Sequence, residues 1–369
     1  RKERDMKDIV ELLQETSTEQ LTELGIKVKK YEDRVLLDYD QINSPKTNPL
    51  VMQCRGVILT PDFKEFICRP FDRFFNLGEA PETQSHLDMT KAVAYDKVDG
   101  SLIKIYHYNG KWEIATRGTA FAESNVNGFD LTFRDLVLKA LGCSEEEFQK
   151  KANRYLFKVI TYLFEVTSFE NRAVTNYQGS NLHYIGARFI HSGDYVDGSI
   201  EAQILGAVLP KQYSFSTKEE AIQSANALSG LKEGFVVWQD GKPVAKVKSD
   251  AYVAVHHTRG EGLSPKRIAQ LVLTGEQGEY LTYFAEDKQH FEPYVQAHAD
   301  IMLALHTAYE AHKHIQEPKE FAIAIKDLAF KSVLFEARKT GKPVLQCWLD
   351  AREGFKVDLL TACVNNCSQ

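Results

Sequence analysis

The hydrophobic spacing changes once along this chain, around Gly260-Glu261-Gly262-Leu263-Ser264-Pro265, and that change limits it to two kinds of structure in series. Upstream, short apolar runs with β-branched and aromatic residues alternate with turn residues, as antiparallel strands do. Residues 34–39, 55–60 and 65–69 read as strands, the last two joined at Pro61-Asp62. Further strands are expected at 92–95, 102–108, 112–116, 155–166, 183–189, 235–239 and 244–247. Asn109-Gly110 and Asp240-Gly241 supply two hairpin turns among them, because both central positions of such turns favour positive φ. Helices are predicted over 6–25, with Ser17-Thr18-Glu19-Gln20 as a cap, and over 127–151. Downstream the period is helical almost to the end. Tyr294, Ile301, Leu305 and Tyr309 make one stripe, Phe321, Ile325, Leu328 and Phe335 a second, and Pro318 separates them. The expected fold is α+β: antiparallel sheets with flanking helices over 1–260, then an all-α domain over 261–369.

Composition narrows the function classes. With 369 residues, 43% hydrophobic and 26% charged, the chain suits two or three domains with real cores. No apolar run approaches a membrane span, and the start is too polar for a secretory signal. Met6 reads as a better N-terminus than Arg1, with 1–5 as upstream sequence. A net charge of −6 excludes a protein that coats DNA regardless of sequence, so any nucleic-acid contact needs a local basic patch. Six cysteines without C-x-x-C spacing fit reduced, cytoplasmic thiols; Cys363 and Cys367 are at most a weak metal pair.

Within the first part, Tyr95-Asp96-Lys97-Val98-Asp99-Gly100-Ser101 places a lysine before an Asp-Gly turn. An amine is nucleophilic only when deprotonated, which nearby cations or desolvation promote. Such a short motif arises by chance in roughly one chain in ten of this length, so it needs partners. Four segments supply them: Thr116-Arg117-Gly118-Thr119, Leu163-Phe164-Glu165-Val166, Lys232-Glu233-Gly234-Phe235-Val236-Val237-Trp238 and Ala245-Lys246-Val247-Lys248-Ser249-Asp250. Lys246 and Lys248 share one strand face by their period-2 spacing. Individually these read as edge-strand or solvated charges. Together they hold what nucleotidyl transfer to a lysine requires: a nucleophile, cations for the phosphoryl oxygens, and carboxylates for ribose and a divalent metal.

The series K-V-D-G, F-E-V, E-G-F-V-V-W and K-V-K-S-D resembles motifs I, III, IV and V of the covalent nucleotidyltransferases, and within them the T4 RNA ligase 1 family. Cys54-Arg55-Gly56, Arg69-Pro70-Phe71 and Phe74-Phe75-Asn76-Leu77 are similar to that family's N-terminal signature. Asn171-Arg172 and Tyr177-Gln178 resemble its extended third motif, and the run from Lys246 through Tyr252 to His256 its fifth.

The resemblance implies a nucleotidyltransferase domain of the ATP-grasp-like ligase type and a helical domain associated with cleaved tRNA. It implies ATP as cofactor, with AMP carried on Lys97, and Mg²⁺ or Mn²⁺ held with the help of Glu233. Glu165 would bind the ribose; Asp99 and Gly100 would shape the adenylate pocket; Lys246 and Lys248 would contact the α-phosphate. Arg55, Arg73 and Arg117 would meet the triphosphate or pyrophosphate, with Phe75, Tyr39 and Tyr252 lining the nucleotide site. The implied partner is RNA with 5′-phosphate and 3′-hydroxyl ends, and the implied setting the cytoplasm of a phage-infected bacterium, with a monomer as the default. His256, His257, Lys313 and His314 are candidates for an RNA-facing surface, with exposed polar helix faces as the default for most of them. Arg73 and Arg117 stand where the relative has lysine, and Phe169 where a proline is expected. Two alternatives remain: a DNA ligase or GTP-dependent capping enzyme, disfavoured by the helical tail, and a catalytically silent nucleic-acid-binding relative.

Overall fold

The computed structural model describes residues 7–126, 131–168, 170, 171, 173–175, 177–258, 265–283 and 287–367. The expectations for Phe169, Arg172, the linker at 260–264 and the side chains of His257 and Cys367 lie outside the described residues. The chain divides into two compact units, Arg1–His256 and His257–Gln369.

The first unit holds three sheets. Strands β1 (Ile26–Lys30), β2 (Val35–Tyr39), β3 (Arg55–Leu59) and β4 (Phe66–Cys68) form an antiparallel sheet in that order. Strands β5 (Phe75–Asn76) and β6 (Val93–Lys97) belong to a second sheet. Strands β7 (Ser101–Tyr108), β8 (Lys111–Thr116), β9 (Ile160–Thr167), β10 (Asn181–Phe189) and β11 (Tyr195–Val196) make the third, ordered β11-β10-β9-β7-β8. Strands β12 (Gln212–Tyr213), β13 (Gly234–Gln239) and β14 (Lys242–Lys248) return to the second, ordered β12-β6-β13-β14-β5. Pairing is antiparallel throughout except for β5 beside β14. The Trp238 ring lies against Phe71, Tyr95 and Tyr195, tying β6 and β13 of the second sheet to β11 of the third.

The hairpin turns form as their residues dictate: Asn109 and Gly110 have φ of 50° and 77°, Asp240 and Gly241 52° and 76°. Ser17 and Gln20 make a reciprocal capping box on Thr18–Glu23, which is a separate helix from Ile9–Gln14.

Four expectations are corrected. The single helix at 127–151 is two, Phe133–Leu141 and Glu145–Tyr155, because Gly142 adopts a left-handed cap and Ser144 starts a new capping box. Tyr155 ends that second helix, so β9 begins only at Ile160. The stripe from Phe321 to Phe335 is broken: Pro318–Ala324 stops before Ile325, and Phe335 is exposed on Lys331–Thr340. Finally, the helix expected over 6–25 is two, Ile9–Gln14 and Thr18–Glu23. The Asp-Gly turn after Lys97 lies in a connection between sheets: Lys97 ends β6 and Ser101 begins β7 in another sheet.

The described part of the second unit is helical: Pro265–Thr274, Gln277–Tyr283, Lys288–His312, Pro318–Ala324, Lys331–Thr340, Val344–Asp350 and Glu353–Cys367. Its buried side chains include Ile301, Leu305, Phe321, Leu334, Trp348 and Leu360. No helix among the described residues is long and apolar enough to cross a membrane.

Candidate active site

The crossover at Lys97 is fixed by Asp99. Its Oδ2 accepts hydrogen bonds from the backbone N–H groups of Val174 and Thr175, both 2.8 Å, and its Oδ1 from the Tyr252 hydroxyl at 2.9 Å. The Asp99 N–H donates to the Tyr177 hydroxyl at 3.0 Å. Asp99 and Tyr252 are both buried, so they build the wall of the site from behind. Gly100 packs on the Val166 carbonyl and the Glu165 side chain, and a Cβ there would run into both.

Beside the crossover, one row of residues spans three strands: Lys97 of β6 pairs with Gly234 of β13, which pairs in turn with Lys248 of β14. Gly234 has φ of 141°, and a Cβ there would strike the Val247 carbonyl. The preceding residue, Glu233, is almost fully buried, and its Oε1 lies 2.9 Å from Lys97 Nζ and 3.1 Å from Lys248 Nζ. The sequence reading surrounded Lys97 with cations; its nearest charge is a carboxylate, shared with one of those cations. Lys246, two residues before Lys248 on β14, lies 4.9 Å from the centroid of the Phe74 ring.

Arg55, Arg73, Phe75, Tyr39 and Arg117 come together where β2, β3 and β5 meet the end of β8. Arg73 and Arg117 cover the Tyr39 ring at 4.4 and 4.7 Å from its centroid, and Arg73 lies 5.1 Å from that of Phe75. Arg117 Nε and Nη2 each donate to Asp38 Oδ1 at 3.0 Å. Arg55 lies 5.9 Å from the Phe74 ring centroid. Arg73 is 8% exposed, yet its buried Nη1 meets no hydrogen-bond acceptor among the described residues. Burial draws its pKa down, and the charges of Arg117 and Arg55 act in the same direction.

Glu165 is the one half-buried residue of the otherwise buried β9, where it pairs with Leu102 and His183 in register. Desolvation pushes its carboxyl up to about 8, against the favourable charges of Lys97 and Arg55 and with that of Glu233 adding to the rise.

Two participants were not singled out from sequence: Asp38, which holds Arg117, and Lys104, fully buried in β7 with its Nζ donating to the Gly56 carbonyl. Their only signal was a lysine within the apolar run of 102–108 and an aspartate at the end of 34–39.

Among the described residues no group of three or more His, Cys, Asp and Glu is placed to hold a metal. The donor set fits a divalent cation held by one carboxylate, Glu233, and largely by the phosphates of a nucleotide, as Mg²⁺ commonly is.

A family model for RNA ligases of the T4 RNA ligase 1 type matches residues 53–252, which contain every residue of this site except Asp38 and Tyr39. A protein of Autographa californica nuclear polyhedrosis virus assigned as a bifunctional polynucleotide kinase/RNA ligase is 38% identical over 286 residues, covering 74% of this chain and 41% of the viral protein. The chain belongs to the T4 RNA ligase 1 family. A Thermovibrio ammonificans protein assigned as an RNA ligase is 30% identical over 243 residues, covering 63% of this chain and 60% of that protein. The chain thus spans only about half the length of these curated relatives. Among solved structures, a Naegleria gruberi RNA ligase aligns with a TM-score of 0.40 and 14% identity over 51% of this chain and 57% of its own.

Proposed function

We propose that the protein is an ATP-dependent RNA ligase that joins 5′-phosphate and 3′-hydroxyl ends through an adenylated Lys97. The observation that carries this reading is the row Lys97–Gly234–Lys248 with Glu233 between its two amines. Two amines meet at one carboxylate there, with Arg73 in the neighbouring cluster of arginines, which supports lysine-based nucleotidyl transfer.

In the first step Lys97 Nζ attacks the α-phosphorus of ATP. A P–N bond forms, the P–O bond to pyrophosphate breaks, and the proton released from the nitrogen passes to water. Arg55, Arg73 and Arg117 hold the departing β- and γ-phosphates, and Lys246 and Lys248 neutralise charge on the α-phosphoryl oxygens. Glu165 binds the ribose. Glu233 would hold the divalent cation, which would supply further neutralisation at the phosphates. When Glu233 exchanges Lys97 for another partner, the amine loses its counter-charge and is free to attack. An RNA 5′-phosphate oxygen then displaces Lys97 from the adenylyl phosphorus, and a 3′-hydroxyl attacks the resulting RNA-adenylate, forming the phosphodiester and releasing AMP.

Family membership supports RNA as the acceptor. The helices that follow the first unit from Pro265 onward favour it over DNA ligation or capping. Cleaved tRNA is the substrate we assign to the helical unit, with the single protein chain as the working form. Incubation with α-labelled ATP or GTP and Mg²⁺, followed by denaturing electrophoresis, tests the reading. Label from ATP that is lost in Lys97→Ala supports it; label from GTP alone points to capping, and label from neither, on protein shown by mass to be free of AMP, contradicts an active transferase. A 5′-phosphorylated RNA or DNA oligomer then identifies the acceptor.

A further inference from the structure

Lys104 takes no part in the chemistry above, yet its side chain is fully buried in β7. Its Nζ donates to the carbonyl of Gly56, the residue directly after Arg55 at the start of β3. Gly56 has φ of +79°, and the space a side chain would occupy there is filled by the Arg117 carbonyl. One strand away, Asp38 stands opposite Arg55 in register and accepts both Nε and Nη2 of Arg117. Lys104 therefore holds the backbone beside Arg55, at a glycine packed on the Arg117 carbonyl, while Asp38 pairs with Arg55 and holds the guanidinium of Arg117.

A buried ammonium is a poor way to gain stability, because an apolar side chain of similar length fills the space without the desolvation cost. Burial draws this amine down to about 8, with the charges of Arg117 and Arg55 acting in the same direction and those of Cys68 and Asp38 opposing. Its placement is explained by what it holds.

We propose that Lys104 and Asp38 are positioning residues that set the spacing of Arg55 and Arg117, and thereby the affinity for the ATP triphosphate. This rests on the ligase reading. Both residues act on the arginines assigned to the β- and γ-phosphates, so they matter for lysyl-AMP formation and not for sealing of an RNA that is already adenylated, which carries neither phosphate.

The test compares the wild type with Lys104→Met and Asp38→Asn in two reactions: lysyl-AMP formation across a range of ATP concentrations, and single-turnover sealing of pre-adenylated RNA. Thermal midpoints are measured alongside. Each substitution is expected to raise KM for ATP about tenfold, the cost of losing one charge-assisted contact. Sealing should stay within about twofold of wild type, and the Lys104→Met midpoint should not fall. Asp38 is 23% exposed at its side chain, so Asp38→Asn carries the test by itself if Lys104→Met does not fold. Equal losses in both reactions, or an unchanged KM in a folded variant, overturn the proposal while leaving the ligase reading intact. A wild type that forms no lysyl-AMP overturns the ligase reading instead.

Discussion

Lys97 and Lys248 share one carboxylate oxygen, Glu233 Oε1, at 2.9 and 3.1 Å. Two cations flanking Gly234 in one cross-strand row would repel each other; the buried carboxylate between them offsets that repulsion. Glu233→Gln removes that charge while keeping shape. Lysyl-AMP formation is expected to fall at least about 100-fold. Stability is expected to fall by about 1–3 kcal/mol, below the range for fully buried pairs because Lys97 is partly exposed. Labelling kinetics and urea titration measure the two effects separately, and unchanged labelling would remove Glu233 from the chemistry.

The arginine cluster gives a second outcome. Arg73 Nη1 is a buried donor without an acceptor among the described residues, so a phosphate oxygen is its natural partner. Arg73→Lys keeps a cation there and should retain labelling to within about tenfold, whereas Arg73→Ala should lose about 100-fold, mostly through KM for ATP. Equal effects of the two substitutions would show that charge at this position is immaterial.

How far sequence alone reached is visible in these residues. Strands bounded by Asn109-Gly110 and Asp240-Gly241 were legible because the turn residues encode the backbone they adopt. Lys246 and Lys248 were placed on one face by alternation alone. The Gly142 break was missed because amphipathic spacing continues across it, while a left-handed cap redirects the chain. The shared carboxylate at Glu233 was illegible for another reason: it depends on the registry of β6 with the β13–β14 hairpin, which lies well over a hundred residues further along the chain. Lys104 was hidden because a lysine in a strand reads as an edge charge, and only the packing of β7 on β3 reveals its burial.

Gly234 offers a steric check on that registry. Its φ of 141° and its contact with the Val247 carbonyl leave no room for a methyl group. Gly234→Ala should cost about 2–4 kcal/mol in urea titration and depress labelling with it. A stable, active Gly234→Ala enzyme would mean that β6, β13 and β14 are not in this register.

Glu165 sets a pH dependence. Its folded pKa of about 8 lies above the ordinary glutamate value of 4.5, so the folded state binds the proton more tightly than the unfolded chain does. Its stabilising contribution is complete below about 4.5 and is lost progressively as pH rises to about 8. Glu165→Gln should therefore raise the thermal midpoint near pH 8, flatten its decline across that window, and abolish adenylylation if the carboxyl binds ribose. Parallel melting curves for the two proteins from pH 5 to 8.5 would contradict this placement of the carboxyl.

The most direct measurement is the site of adenylation. Protein incubated with ATP and Mg²⁺ is digested and the modified peptide sequenced by mass spectrometry, alongside Lys97→Ala and Lys248→Ala. One AMP per chain on Lys97, absent from Lys97→Ala and reduced but still on Lys97 in Lys248→Ala, is the predicted result. AMP on Lys248 or any other lysine, or adenylated protein from Lys97→Ala, would contradict the account.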